Sequence, residues 1–351
     1  VRVPVDREDL KDTMKRLVAA RKRSTGDVGA AWAPSVVAFG GGTGLSVLLR
    51  GLKKRTHRVT AVVTVADDGG SSGRLRDELG MLPPGDIRAC LVALAEAEPL
   101  MRRLFQYRFD QGDGLQGHTF GNLFIAAMTE ITGDFQEAVK LSSRVLAVKG
   151  RVLPATLEHV TLAAETEDGR VVHGETAVTA AGGTIRRVWL KPRCSPVPEA
   201  LSAIAEADMV VIGPGSLYTS VLPTLVVGGV AEAIARSRAV KVYVANLMTQ
   251  PGETAGYRVS DHVRAIMDHA GKGVIDWVAV NNTAIRAGLA RRYEVEGSEP
   301  VALDLEAVRG MGVSVLQGDL VEQGEYARHD PEKLAEALFT VLPAARANWR
   351  R

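Results

Sequence analysis

The sequence predicts an α/β protein built on a mainly parallel, doubly wound sheet with a helical insertion. Three observations carry that expectation. The apolar run Ser35-Val36-Val37-Ala38-Phe39 passes through Gly40-Gly41-Gly42-Thr43-Gly44 into a helix-like run that starts at Leu45. A second short apolar run, over 208–212, passes in the same way through Gly213-Pro214-Gly215-Ser216-Leu217-Tyr218-Thr219-Ser220. From Glu199 onward, helix-like and strand-like segments alternate, as the βα units of a parallel sheet require.

The first glycine turn has the physics of an anion site. The free N–H groups of a first helical turn point outward, and the helix dipole favours negative charge there. Glycine allows positive φ and lets a phosphate approach without a Cβ in the way. Gly41, Gly42, Thr43 and Gly44 are the candidate contacts. The turn is not a P-loop, because no Gly-Lys-Ser/Thr follows, and it does not fit G-x-G-x-x-G. A tight strand-to-helix turn without a ligand is the alternative.

The β-branched run Arg58-Val59-Thr60-Ala61-Val62-Val63-Thr64-Val65 reads as a buried parallel strand. It ends in Ala66-Asp67-Asp68-Gly69-Gly70-Ser71-Ser72-Gly73. An acid at this place can hydrogen-bond a ribose hydroxyl. Asp67 and Asp68 can instead hold Mg²⁺ together with substrate phosphates. A surface turn is the third reading. The segment 74–85 reads as a polar loop closed by Pro83-Pro84-Gly85.

Asp86 then reads as an N-cap for a helix over 87–97, and helices follow over 100–109, 120–132 and 135–148. The helical insertion therefore covers about 86–148, without a strand signal. Within it, Gly117-His118-Thr119-Phe120-Gly121-Asn122 precedes an apolar helix. His118 and Asn122 are candidates for a ligand cleft, and a structural histidine is the competing role. No second histidine stands at zinc-ligand spacing. Neither a G-x-S-x-G nucleophile motif nor a glycosidase-like carboxylate pair is present.

Strands are expected over 157–164, 170–178 and 184–190. The βα rhythm then gives helix 199–206, strand 208–212, helix 226–236, strand 240–245, helix 260–270 and strand 274–280. A late strand over 313–316 and a helix over 331–342 close the chain. The second glycine turn is a second anion site by the same reasoning, with Gly213, Pro214, Gly215, Ser216, Thr219 and Ser220 as contacts. An N-cap at Ser216 is the alternative. Asn246 and Asn281 end successive strands, where amides can read a base or a sugar or simply shape a turn.

Composition bounds the rest. With 46% hydrophobic and 24% charged residues over 351 positions, the chain suits one large α/β domain or two smaller ones. A net charge of +2 does not imply nucleic-acid binding. Cys90 and Cys194 give neither a disulfide framework nor a zinc pattern and fit incidental thiols in a reducing cytoplasm. No apolar run approaches the ~18 residues of a spanning helix. Residues 1–34 read as a basic N-terminal extension, either solvated or the cytoplasmic stub of an upstream membrane anchor. Residues 35–351 read as a single domain.

The motifs together carry a resemblance. Gly40-Gly41-Gly42-Thr43-Gly44-Leu45-Ser46, the Asp67-Asp68 block through Arg76, and Pro83-Pro84-Gly85-Asp86-Ile87-Arg88 occur in order. They are followed by Gly150-Arg151-Val152-Leu153-Pro154-Ala155, by Gly213 through Ser220, and by Met248-Thr249-Gln250-Pro251-Gly252-Glu253-Thr254. Over about 35–342 this set closely resembles the YvcK-like family, often labelled gluconeogenesis factor, a branch of the CofD-like superfamily. The resemblance implies a cytoplasmic bacterial protein with a Rossmann-like three-layer fold. It implies binding of UDP-sugars such as UDP-N-acetylglucosamine and a role in cell shape and peptidoglycan synthesis during gluconeogenic growth, with wall-synthesis enzymes or regulators as partners. A homo-oligomer is compatible with it. No established catalytic activity goes with this branch; the related branch is a Mg²⁺-dependent 2-phospho-L-lactate transferase. Tyr293 and Arg328 also look like family ligand contacts, an aromatic face for a base and a guanidinium for a diphosphate.

Overall fold

The computed structural model describes residues 33–97 and 99–348. The basic stretch over 1–32 lies outside the described residues. Strands β1 (Val36–Gly40), β2 (Val59–Val63) and β3 (Arg151–Pro154) form one half of the main sheet. Strands β4 (Thr161–Thr166), β5 (Val171–His173) and β6 (Ile185–Lys191) form a separate antiparallel sheet in the order β5-β4-β6. Strands β7 (Met209–Ile212), β8 (Val240–Val244), β9 (Trp277–Asn281) and β10 (Ser314–Gly318) complete the main sheet, and β11 (Val321–Gln323) and β12 (Ala327–His329) make a hairpin.

The main sheet has seven strands in the order β10-β9-β8-β7-β1-β2-β3, and every neighbouring pair is parallel. The chain therefore winds outward from β1 to β3, returns to the centre and winds outward again from β7. That reversal places a topological switch point between β1 and β7, where open α/β sheets leave a crevice at their carboxyl edge. Strands β1, β2, β7 and β8 are buried along their whole length. Their Val- and Ile-rich composition is what a sheet covered on both faces requires.

Helix α1 (Gly42–Arg55) follows β1 and buries Leu45, Leu48, Leu49 and Leu52 at helical spacing. Each such side chain contributes about 1.5–3 kcal/mol relative to exposure. Lys53, Lys54 and Arg55 fill its last turn, where the dipole favours cations. The helix lies so close to the C-terminal helix that a Cβ at Gly51 would stand 1.8 Å from the Pro331 carbonyl. Substitution at Gly51 would therefore separate the two helices.

Helices α2 (Gly70–Leu79), α3 (Gly85–Leu94), α4 (Pro99–Gln106), α5 (Phe120–Thr132) and α6 (Phe135–Val145) lie between β2 and β3. The helical insertion is thus the crossover of one parallel βαβ unit. Its second half follows the sequence closely: Thr119 and Asp134 cap α5 and α6 by accepting from Asn122 N–H and Glu137 N–H.

Several elements differ from the sequence-based expectation. The segment 74–85 is not all loop, because α2 runs through Leu79 and ends at Gly80 with φ +61°. Its opening Gly70-Ser71-Ser72-Gly73 imitates a turn, yet Gly73 is required, since a Cβ there would stand 2.1 Å from the Asp68 carbonyl. Asp86 lies in the first turn of α3 rather than capping it; Pro84 takes the cap position without a side-chain bond. The expected strand over 170–178 breaks at Gly174, φ +97°, into β5 and a short helix α7 (Glu175–Ala180). The expected strand over 157–164 is shifted to β4, and that over 274–280 to β9.

Helix α8 (Pro198–Ala205) precedes β7. The expected helix 226–236 begins only at Val230, and an extra short helix precedes it. A π-turn (Leu217–Val221) leads into α9 (Leu222–Leu225), and α10 (Val230–Arg236) restarts after Gly228-Gly229. Helix α11 (Val259–Ala270) follows β8, α12 (Ala287–Val295) and α13 (Leu305–Gly310) follow β9, and α14 (Pro331–Asn348) closes the chain.

Candidate functional site

The two glycine turns touch. A Cβ at Gly44 would stand 2.5 Å from the Pro214 carbonyl oxygen and 2.9 Å from the Gly215 nitrogen. Only glycine allows this approach, so β1 and β7 deliver their turns to one place. Gly42, at φ +61°, bends the chain into α1. Beyond the two turns opens a cavity of about 360 Å³. Thr43, Gly44, Pro214, Gly215 and Ser216 line one side of it, and Asn246 with residues 247–251 lines the next. Tyr293, Arg328 and His329 close it from the C-terminal segment. Candidates from five separate stretches of sequence thus meet at the switch point.

Asn246 is fixed in that wall. Its Nδ2 donates to the Gly215 carbonyl at 2.9 Å, and its Oδ1 accepts from the Gly215 N–H at 3.3 Å. The amide therefore shapes the second turn. Gly213 and Ser220 sit behind the lining; Ser220 Oγ is 4.0 Å from where a Cβ on Gly42 would be. Ser216 makes no side-chain cap and remains at the cavity.

The helix start after the second turn already holds an anion of the protein itself. Glu253, 2% exposed, accepts from the Tyr218 N–H at 3.0 Å, from Thr219 Oγ at 2.8 Å and from Gln250 Nε2 at 3.0 Å. Burial raises its pKa, and the donors around it oppose the rise. Thr219 is therefore engaged with Glu253 rather than free for a ligand. Sequence reasoning placed Glu253 only within a motif; a lone acid after Pro-Gly gave no signal of a buried role.

Tyr293 and Arg328 come together through the β11–β12 hairpin. The Ala327 N–H donates to Tyr293 Oη at 3.2 Å, one residue before Arg328. The Arg328 guanidinium lies 5.1 Å from the Tyr326 ring centroid. Arg50 on α1 faces Arg328, and that like charge, after burial, lowers the Arg50 pKa. His329 is 6% exposed, and its Nε2 has no partner among the described residues. Burial pulls its pKa down to about 4, so the ring is neutral at pH 7. No pattern in the sequence marks His329, because its role arises from the hairpin.

The acidic loop after β2 adjoins the first turn on the other side. Asp67 Oδ1 accepts from the Gly69 N–H at 2.9 Å. Asp68 turns away: its Oδ1 accepts from Thr176 N–H at 2.9 Å and Thr176 Oγ at 2.8 Å at the start of α7. The carboxylates beside Asp67 are instead Asp86 and Glu175. Asp86 accepts from the Gly42 N–H, and burial together with Asp67 pushes it up to about 7. Burial, Asp67 and Asp86 hold Glu175 well above the usual carboxylate range. These groups can take protons or share a cation with oxygen ligands. Asp86 read as a helix cap and Glu175 as strand, so neither was a sequence candidate.

His118 and Asn122 lie away from the cleft lining. His118 Nδ1 is 2.9 Å from Ser71 Oγ, Asn122 Nδ2 donates to Ser71 Oγ at 3.0 Å, and Arg88 Nε donates to Asn122 Oδ1 at 2.9 Å. This buried chain supports the start of α2 behind the acidic loop. Asn281 accepts from the Leu320 N–H at 3.0 Å and donates to the Thr283 carbonyl at 2.6 Å. It lines a neighbouring cavity of about 390 Å³, whose shared wall is Asn246 and Leu247.

Known proteins share this architecture. The family profile described as 2-phospho-L-lactate transferase CofD matches residues 36–321. The gluconeogenesis factor of Bacillus subtilis is 52% identical over 311 residues, covering 88% of this chain and 98% of that protein. The gluconeogenesis factor of Halalkalibacterium halodurans is also 52% identical over 311 residues, covering 88% and 97% respectively. An X-ray crystal structure of a protein from Bacillus halodurans superimposes with a TM-score of 0.86 at 52% identity, over 88% of this chain and 99% of that one.

Proposed function

Because the chain belongs to the CofD family, on its gluconeogenesis-factor branch, we propose that it is a UDP-sugar-binding regulatory protein. UDP-N-acetylglucosamine is the preferred ligand, and the regulated process is cell shape and wall homeostasis during gluconeogenic growth. One observation carries this reading: a single cavity brings the first glycine turn, Asn246, Tyr293 and Arg328 together. A diphosphate needs the free N–H groups of Thr43 and Gly44 and a guanidinium such as Arg328. A uracil needs an aromatic wall, and the Tyr293 ring lines the cavity where it would stack. Among the described residues that line the cavity, no side chain is set up as an activated nucleophile. Isothermal titration with UDP-N-acetylglucosamine tests the reading. Saturable heat that disappears in Arg328→Ala supports it, and no heat at millimolar ligand sinks it.

The acidic loop favours a second reading, a Mg²⁺-dependent transferase acting on a nucleotide-diphosphate donor. The donor set is all oxygen, as Mg²⁺ prefers. Asp67 fits that ion, joined by Asp86, with Asp68 available once Thr176 releases it. Among the described residues no three His, Cys, Asp or Glu side chains close a metal centre, so donor phosphates would complete the shell. Bound there, the ion would neutralise charge on the phosphate of the departing nucleotide. The chain's own residues would hold the donor against the first turn. Incubation with nucleotide-diphosphate donors, Mg²⁺ and an acceptor panel separates the readings. Turnover lost in Asp67→Asn supports the enzyme; intact donor across the panel counts against it.

A further inference from the structure

A groove of about 650 Å³ lies away from the nucleotide cleft, between strand β6, the turn that ends α9, and helix α11. Its floor is apolar, made by Val188, Leu190 and Val226, and Arg186, Arg187, Arg193 and Trp189 surround it. The cations outnumber their partners. Arg186 and Arg187 share one carboxylate, Glu165, at 3.0 and 2.6 Å. The Arg187 guanidinium also lies over the Trp189 ring, 5.4 Å from its centroid. Arg193 is exposed and makes no hydrogen bond or ion pair among the described residues.

The groove is held rigid from below. His269 Nε2 accepts from the Val188 N–H at 3.0 Å, and its Nδ1 donates to the Ala265 carbonyl at 2.6 Å. Both ring nitrogens are thus used, and burial lowers the pKa of this neutral imidazole. Asp268 also lines the groove on α11. The three arginines of the groove, Arg186, Arg187 and Arg193, outnumber this carboxylate.

We propose that this groove is a second ligand site, for an organic anion with a phosphate or carboxylate head and an aromatic or aliphatic body. Guanidiniums bind both heads through forked hydrogen bonds. The apolar floor takes the body, and the volume falls within the usual range of small-molecule sites. The proposal is independent of the UDP-sugar reading, since the two sites share no lining residue.

The test uses the full chain labelled with ¹⁵N at tryptophan. The indole N–H resonance of Trp189 is assigned by its loss in Trp189→Phe. Phenyl phosphate and benzoate are the probes, with inorganic phosphate and acetate as the separate heads and phenol as the separate body. At least one whole probe is expected to shift this resonance to saturation, more tightly than its head or the body alone. Arg193→Ala should weaken that binding about tenfold, the effect of removing one charge-assisted hydrogen bond. Because Arg193 has no partner among the described residues, its loss should leave the melting temperature unchanged. Arg328→Ala, in the nucleotide cleft, should leave the Trp189 titration unaltered. Stronger response to phenyl phosphate assigns a phosphate head, and stronger response to benzoate a carboxylate. The proposal is overturned if no probe moves Trp189 at tens of millimolar, or if Arg193→Ala titrates like the parent protein.

Discussion

The hydroxyl of Tyr293 accepts a hydrogen bond from the backbone N–H of Ala327 at 3.2 Å. This contact ties α12 to the hairpin strand that carries Arg328. It makes Tyr293 a positioning residue as well as a wall of the cleft. Tyr293→Phe keeps the ring and removes the tie. A hydrogen bond of this kind contributes about 1 kcal/mol, so UDP-sugar affinity should fall about fivefold by titration calorimetry. Tyr293→Ala removes the wall too and should lose more.

The contact of Gly44 with the Pro214 carbonyl predicts a different result. In Gly44→Ala the added methyl must push the two glycine turns apart. Overpacking of this kind costs about 1–3 kcal/mol. Chemical denaturation should show that loss, and calorimetry should show ligand binding abolished in the protein that still folds.

Glu253 holds the second turn from inside the protein. Glu253→Ala leaves the Tyr218 N–H and the Thr219 hydroxyl without their acceptor, which costs about 1–3 kcal/mol for each buried group. Glu253→Gln keeps one acceptor oxygen and should retain most of the stability. A melting temperature in Glu253→Ala equal to that of the parent would show that the buried carboxylate does not support the fold.

Asp86 gives a pH dependence with a definite sign. Its folded pKa is raised from 3.8 to about 7. The folded chain therefore holds a proton that the unfolded chain releases. That contribution is complete below the ordinary carboxylate value and lost as pH rises through about 7. Glu175 acts in the same direction. The shifted histidines, His118, His262, His269 and His329, are all lowered from 6.5, so their opposite contributions lie below that pH. Without ligand, the melting temperature should fall between pH 6.5 and 8, and Asp86→Asn should flatten the slope. An unchanged slope in that variant would remove Asp86 from the account.

Much of the fold was legible because the parallel strands announce themselves. The apolar and β-branched runs announced β1, β2, β7 and β8, and the glycine turns after β1 and β7 meet as their shared βα chemistry suggests. Helix α2 was not legible, since Gly70-Ser71-Ser72-Gly73 has turn composition and its helix depends on packing against Asp68. Strand β3 carried only a motif, and the β11–β12 hairpin is short and half polar. The unread part of the site follows from the same limits. Glu253, Asp86, Glu175 and His329 acquire their roles through contacts across the chain; Asp68 is drawn to Thr176 by a bond no local pattern shows, while Asn281 shapes the turn at Thr283 that its position allowed. Among the described residues no single helix is long and apolar enough to cross a membrane.

A crystal structure with UDP-N-acetylglucosamine tests the central claim most directly. The account predicts diphosphate density against Thr43 and Gly44 and within reach of Arg328, with the uracil beside Tyr293. Density for the nucleotide only in the cavity over Asn281 or in the β6 groove would contradict it, as would an empty cleft at saturating ligand.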